Sequence, residues 1–405
     1  MTTQSTGNMD ETAARHPPIL RLPQELVQTI LDYLDPADLP SFRSTCRALE
    51  VSSFAAFADE FFSTIKYDFS AYDTEYLSEL SKQTHFLSRV KTLRICSTRC
   101  TRLLDAPHFS GQKPWGFGYS WTREPYRSLT GNHAAVDALS SLLKERFVNC
   151  RNFTIVNDGA HSSANLFSEL QLTGNDALAA LLYVFQRAEI QPASLHMLFG
   201  RLYNDTLGGR LDPARLRPFL ISAVAPLGLV RTEGLTSLTV DAGFGIRLVP
   251  DMAIVRSMYG PIKCARNLQH VRLCFRSQPQ AATALLELFQ PSESILPKLR
   301  LFELTYAILS ENVLADFLLL IKASLTSLAL QQVALRTGAW ETLLVHIAEA
   351  LSSLGDVWIR YLQRPSEVFG QNGSTTLAAD GVACKGKNVK SRLLDAARSA
   401  PGCTT

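Results

Sequence analysis

One short phrase constrains this chain more than any other feature: an apolar residue, two variable ones, an apolar one, one variable, and an apolar one. It occurs at Val90–Leu93–Ile95, Cys150–Phe153–Ile155, Leu235–Leu238–Val240, Leu268–Val271–Leu273, Leu299–Phe302–Leu304, Leu325–Leu328–Leu330 and Leu354–Val357–Ile359, with a weaker copy at Leu195–Leu198. The last five clear copies begin 33, 31, 26 and 29 residues apart. The final two apolar positions of each copy lie two residues apart, so both face one side of a short strand. Between copies the pattern turns helical, as in Ala281–Phe289, Glu311–Ile321 and Trp340–Leu351. Strand, helix and strand at similar intervals predict parallel strands joined by right-handed crossovers.

Units that stack in this way build a curved solenoid. The region resembles the leucine-rich repeat family in an irregular, long-unit form. The Asn or Cys that usually follows the strand phrase is not regular here. A plain α/β domain with a parallel sheet is the competing reading, since the phrase is easily met in a Leu-rich chain. In both readings the fold class is α/β.

Composition excludes several classes of partner. The 405 residues are 46% hydrophobic and 19% charged, ample for a sizeable core. Forty basic and 37 acidic residues leave a net charge of +3, no global case for nucleic acid or an acidic membrane surface. The eight cysteines are scattered, which reads as free thiols in a reducing compartment. Cys96 and Cys100 form the closest pair but lack two further ligands at short spacing, so neither a zinc site nor any other cofactor is expected. The first residues are polar, without the basic start and apolar run of a signal peptide. The longest apolar stretch, around Phe317–Ile321, is too short to span a bilayer. The expectation is a soluble intracellular protein, in the cytoplasm, the nucleus or both.

Composition shifts divide the chain into a disordered leader (1–17), a helix-patterned block (18–62), connecting helices with a long aromatic loop (63–133), the repeat region (134–364, or from about 85) and a disordered tail (365–405). The helical block reads ILRLPQELVQTILDYLDPADLPSFRSTCRAL over residues 19–49. Pro23 suits the start of a helix, and Glu25 follows favourably against its dipole. Leu26, Ile30 and Leu34 form a stripe that Val27 and Leu31 widen. Asp35 and Pro36 open a second helix. Leu39 and Phe42 continue the apolar face, and Cys46 and Leu49 lead to a third helical stretch with Phe54, Phe57, Phe61 and Phe62. Three short helices cannot bury so many apolar groups alone, so the block invites docking.

These residues resemble the F-box family. The matching positions are Leu22-Pro23, Glu25-Leu26, Ile30, Leu34, Asp38-Leu39, Phe42, Cys46-Arg47 and Leu49, without a gap. Thr45, polar although β-branched, meets only in part the family's habit of a β-branched residue before the cysteine, and Leu49 stands where Trp is common. The resemblance implies docking on a Skp-type adaptor, and through it on a cullin and a RING module, while the C-terminal domain presents a protein substrate. It also implies that Leu22, Pro23, Leu26, Ile30, Leu34, Leu39 and Cys46 line or support that interface. Chains of fungal type often pair an F-box with irregular repeats.

Two other segments have functional and bland readings. The stretch His108–Tyr126 holds Trp115, Phe117, Tyr119 and Trp121 among glycines and prolines, either as a substrate-contacting loop or as aromatics packed on the repeat flank. Cys384–Arg398 carries Lys385, Lys387, Lys390, Arg392 and Arg398 against Asp395, either as a nuclear-import or nucleic-acid segment or as a solvated tail. An enzyme is disfavoured: no GxSxG, P-loop, HExxH or GxGxxG after a strand occurs, Gly243 and Gly245 form a lone GxG, and His133, His161 and His346 share no ligand spacing.

Overall fold

Every copy of the strand phrase becomes a strand. The structure is a computed structural model that describes residues 18–96, 115–122, 129, 133–156, 172, 174–198, 232–241, 252–276, 279–289, 296–360, 382–386 and 388–399. Its strands are β1 (Thr64–Tyr67), β2 (Thr92–Cys96), β3 (Asn152–Val156), β4 (Ser194–Leu198), β5 (Ser237–Asp241), β6 (His270–Cys274), β7 (Leu301–Ser310), β8 (Ser327–Thr337), β9 (Asp356–Arg360) and β10 (Val382–Lys385). They form one ten-stranded sheet in chain order. All neighbours are parallel except β10, which runs antiparallel to β9.

The phrase sets the register. Its second position forms one row across the sheet, from Leu93 through Phe153 and Leu195 to Val357, and its third forms another, from Ile95 through Ile155 and Met197 to Ile359. Thus Leu195 and Met197 occupy the two strand positions of the weaker copy, and Leu198 lies outside them. Most of both rows is buried in one core with the crossover helices. Those helices include α7 (Ala134–Glu145), α8 (Gly174–Ala188), α9 (Met252–Cys264), α10 (Ala281–Glu287), α11 (Glu311–Ile321) and α12 (Trp340–Ala350). Helix α11 buries Leu314, Phe317, Leu318 and Ile321, one face of its apolar period.

Strands β7 and β8 run past the length of the others and turn a corner together. Tyr306 (φ 56°) and Gln332 (φ 52°) both take left-handed backbone, between the paired residues Thr305/Gln331 and Ala307/Val333. Such a conformation costs a non-glycine residue about 1–2 kcal/mol. Burial of the second legs, Ala307–Leu309 and Val333–Leu335, offsets it.

The N-terminal block contains four helices where three were expected: α1 (Gln24–Tyr33), α2 (Leu39–Ser44), α3 (Arg47–Ser52) and α4 (Phe54–Phe62). Ser53 separates the last two, and its hydroxyl donates back to the Leu49 carbonyl at 2.5 Å. Asp35 caps a turn, accepting from the Ala37 N–H at 2.8 Å, and α2 starts only at Leu39. Helices α5 (Ala71–Ser81) and α6 (Thr84–Leu87) connect β1 to β2.

The expected disordered tail is ordered in part. Strand β10 covers the edge of β9, and helix α13 (Val389–Ser399) packs beside α12. Cys384, Val389, Leu393 and Ala397 are buried. Three of these recur every four residues, a helical period that the Lys- and Gly-rich surroundings hide. The leader 1–17 and residues 361–381 lie outside the described residues.

Candidate docking surface

Helix α1 carries two apolar stripes side by side. Val27 and Leu31 are buried and Leu34 is half-buried; they form a small core with Leu22, Leu39, Phe42, Ala56 and Phe57. Leu26, Ile30 and Tyr33, each one residue earlier, point outward and are 50%, 36% and 88% exposed. Residues three and four apart share a helix face, so these three make one continuous outer strip. Pro23 extends it at the helix start and is exposed. A helix whose inner stripe is already satisfied gains nothing within the chain from a second one, and an exposed apolar strip of this kind marks an interaction surface.

The seven residues expected at the interface therefore divide. Pro23, Leu26 and Ile30 are available to a partner. Leu22 and Leu34 are half-buried in the small core and Leu39 is buried, so they hold the block together. Cys46 is half-buried in the position preceding α3. Tyr33, which the sequence reading passed over, is the most exposed large apolar residue among the described residues. Its signal was its position seven residues after Leu26. Val51 on α3 and Phe61 on α4 are also exposed.

The block is fastened by aromatic side chains to α6, which leads into β2. Phe62 stacks on Phe86 with centroids 4.0 Å apart, and Phe57 lies 5.9 Å from Phe62. Arg43 sits 4.2 Å over the Phe57 ring and donates to the Glu50 carbonyl at 3.0 Å. Arg89, which precedes β2, pairs with Asp59 of α4 at 2.9 Å.

The aromatic segment departs from the substrate-loop reading. Trp115 and Trp121 are core residues, and Trp121 is fully buried against Phe69 and His133. Its indole N–H donates to the Gly116 carbonyl at 2.9 Å. The Gly116 N–H donates to Asp68 (2.8 Å), the Ala71 N–H to Phe117 (3.0 Å) and the Leu172 N–H to Trp115 (2.9 Å). Gly116 (φ +71°) and Gly118 (φ +90°) permit this fit: a Cβ on the first would enter the Trp121 indole, and one on the second would lie 2.8 Å from the Ala71 Cβ. Tyr119 is half-buried, and Phe117 alone of the four expected residues is exposed. Phe109 and Tyr126 lie outside the described residues.

The sheet has a second face, alternating with the apolar rows, that carries Lys66, Arg94, Thr154, His196, Thr239, Arg272, Glu303, Ala329 and Trp358 in register. Arg272 pairs with Glu303 at 2.6 Å. Burial, and then the nearby Arg272 charge, lower the pKa of His196. Buried thiols are suppressed as nucleophiles: burial pushes Cys150 up to about 12, and burial with the Asp241 charge does the same for Cys274. Among the described residues no three His, Cys, Asp or Glu side chains gather as metal ligands. Among them, too, no helix is long and apolar enough to cross a membrane. His133 is buried against Trp121, and His346 lines the crevice between α11 and α12.

The F-box domain family model matches residues 19–50, the segment that supplies α1, α2 and most of α3. The chain has no significant match among the curated proteins.

Proposed function

We propose that this chain is the substrate-recruiting subunit of a Skp–cullin–F-box ubiquitin ligase. An F-box domain suggests an adaptor role in ubiquitin-ligase complexes, and such domains bind Skp-type adaptors of cullin–RING ligases. The observation that carries the reading is the outer stripe of α1: Pro23, Leu26, Ile30 and Tyr33 stand exposed beside an inner stripe that already fills the small core. The adaptor covers that strip. The sheet region acts as an irregular leucine-rich-repeat-like solenoid, a reading supported by its chain-order strands and its repeated register. Its face opposite the helices presents the protein substrate. The chain itself performs no chemistry, and a subunit of such a ligase works in the cytoplasm or the nucleus.

Adaptor capture tests the proposal. The full chain, co-expressed with a Skp-type adaptor, should retain it through purification. A Pro23→Ala/Leu26→Ala/Ile30→Ala variant, folded by circular dichroism, should lose it, since buried apolar anchors are worth about 2 kcal/mol or more each. A wild-type chain that captures no adaptor would overturn the reading. A second reading is an F-box scaffold acting outside a ligase; it shares the adaptor but predicts that no cullin co-purifies.

A further inference from the structure

We infer that the substrate is held through an extended, Asp- and Glu-rich segment lying across the first strands of the sheet, an inference that rests on the sheet's role as substrate platform and specifies what it takes. Lys66 of β1 and Arg94 of β2 are register partners, both exposed on the face opposite the helices. Lys91 and Arg151, also exposed, immediately precede β2 and β3. The Arg151 N–H donates to the Lys91 carbonyl at 3.1 Å, which sets these two residues side by side.

Nothing on the neighbouring strands offsets this charge. Strands β1 to β4 contain no Asp or Glu. Among the described residues none of the four cations makes an ion pair; Asp59, across the block junction, is held by Arg89. Further along the same row Arg272 is neutralised by Glu303, and at the far edge Asp356 opposes Lys385. Arg360 of β9, exposed on the same face, stands by itself over the Trp358 ring at 4.7 Å, whereas Lys66 and Arg94 are direct register neighbours. Like charges placed directly opposite on a sheet destabilise it. An anionic partner removes that cost and gains the attraction, so folding and recognition pull in opposite directions at Lys66 and Arg94.

The arrangement selects the class of anion. Lys66 and Arg94 stand on adjacent strands, about 4.8 Å apart at the backbone. Register makes them neighbouring members of one row on the sheet face. Carboxylates on alternate residues of an extended chain lie about 7 Å apart and can meet such a row in succession. The half-buried Thr92 and Thr154 add hydroxyls on the same face. A nucleic-acid backbone needs a longer basic track than three strands supply, and the chain's net charge is only +3.

Fluorescence anisotropy on the full chain tests this, with a labelled alternating Glu/Ser peptide of about eight residues, enough to cross the three strands. Saturable binding that weakens with added salt is expected. Lys66→Gln/Arg94→Gln should weaken it, and Lys66→Glu/Arg94→Glu should weaken it further, by about tenfold in all. Circular dichroism and adaptor capture, both unchanged, would show that these variants are folded. Equal binding by wild type and the reversed variant, or no saturable binding, overturns the inference. Tighter binding of a phosphoserine/Ser peptide or of oligouridine at the same ionic strength overturns it too, and assigns the patch to those anions. Adaptor capture without peptide binding sinks this inference alone. Peptide binding without adaptor capture sinks the ligase reading and leaves the anion site standing.

Discussion

The helical block and the sheet solve the same problem in opposite ways. In the sheet the apolar rows are covered: Phe302, Leu328 and Val357, on three successive strands, are almost wholly buried. In the block only Val27, Leu31 and Leu39 are buried as a cluster, while Leu26, Ile30 and Tyr33 face outward on the ten-residue helix that carries the first two. A repeated strand–helix unit covers each new row with the next one. A helical block of about forty residues has too little volume to do so and leaves surface for a partner. The comparison separates residues that matter for folding from residues that matter for assembly.

The sharpest contrast comes from the sheet. Phe302→Ala should destabilise the fold by about 3–5 kcal/mol, read as a lower midpoint in denaturant, because the cavity lies between β7 and α11 where Phe302 meets Phe317 at 4.9 Å. On α1 a matched pair divides the two roles. Leu31→Ala should cost about 2–3 kcal/mol of stability, whereas Tyr33→Ala should change the melting curve little and weaken adaptor capture by about 1–2 kcal/mol. Equal losses of stability from the two would erase the distinction between inner and outer stripes. The smallest effect concerns pH. Cys150 and Cys274 are pushed up to about 12, above the thiol value of the unfolded chain. Folding therefore favours the neutral thiol: the contribution is full below about pH 9 and is lost as pH rises towards 12. Stability should fall across that window, and less so in a Cys150→Ala/Cys274→Ala variant. In the native protein at pH 8, Cys264, which is exposed, should react with a maleimide well before either.

Much of the sheet was legible because its strands repeat one phrase and its register follows from it. The first strand was missed for a local reason. Phe62, Ile65 and Tyr67 have the phrase's spacing, but Phe62 also closes helix α4, and the helical pattern absorbed it. The last strand and α13 were hidden by composition, since a Lys-rich stretch reads as tail even when Val389, Leu393 and Ala397 keep a helical period. On α1 the apolar residues were visible and their division was not. Leu26 and Val27 are adjacent in sequence and face different neighbours, which periodicity alone does not resolve when both stripes are apolar. For Trp115 and Trp121 the sequence left two readings open, a substrate loop or aromatics packed on the repeat flank; Gly116 and Gly118 are what let the segment press against the core.

A single residue, Ser63, lies between the end of α4 and the start of β1. Its carbonyl accepts the N–H groups of Lys91 and Thr92 at 3.0 and 2.9 Å, and Phe62 beside it stacks on Phe86. The join is thus a bracket and not a leash. Cargo gripped on the sheet would be held at one bearing from whatever grips α1, with no slack for searching. Under the proposed function the reach from one end to the other would be fixed by the fold, so only those parts of a cargo that fall at that bearing would be presented, and the choice among them would be made by geometry as much as by affinity.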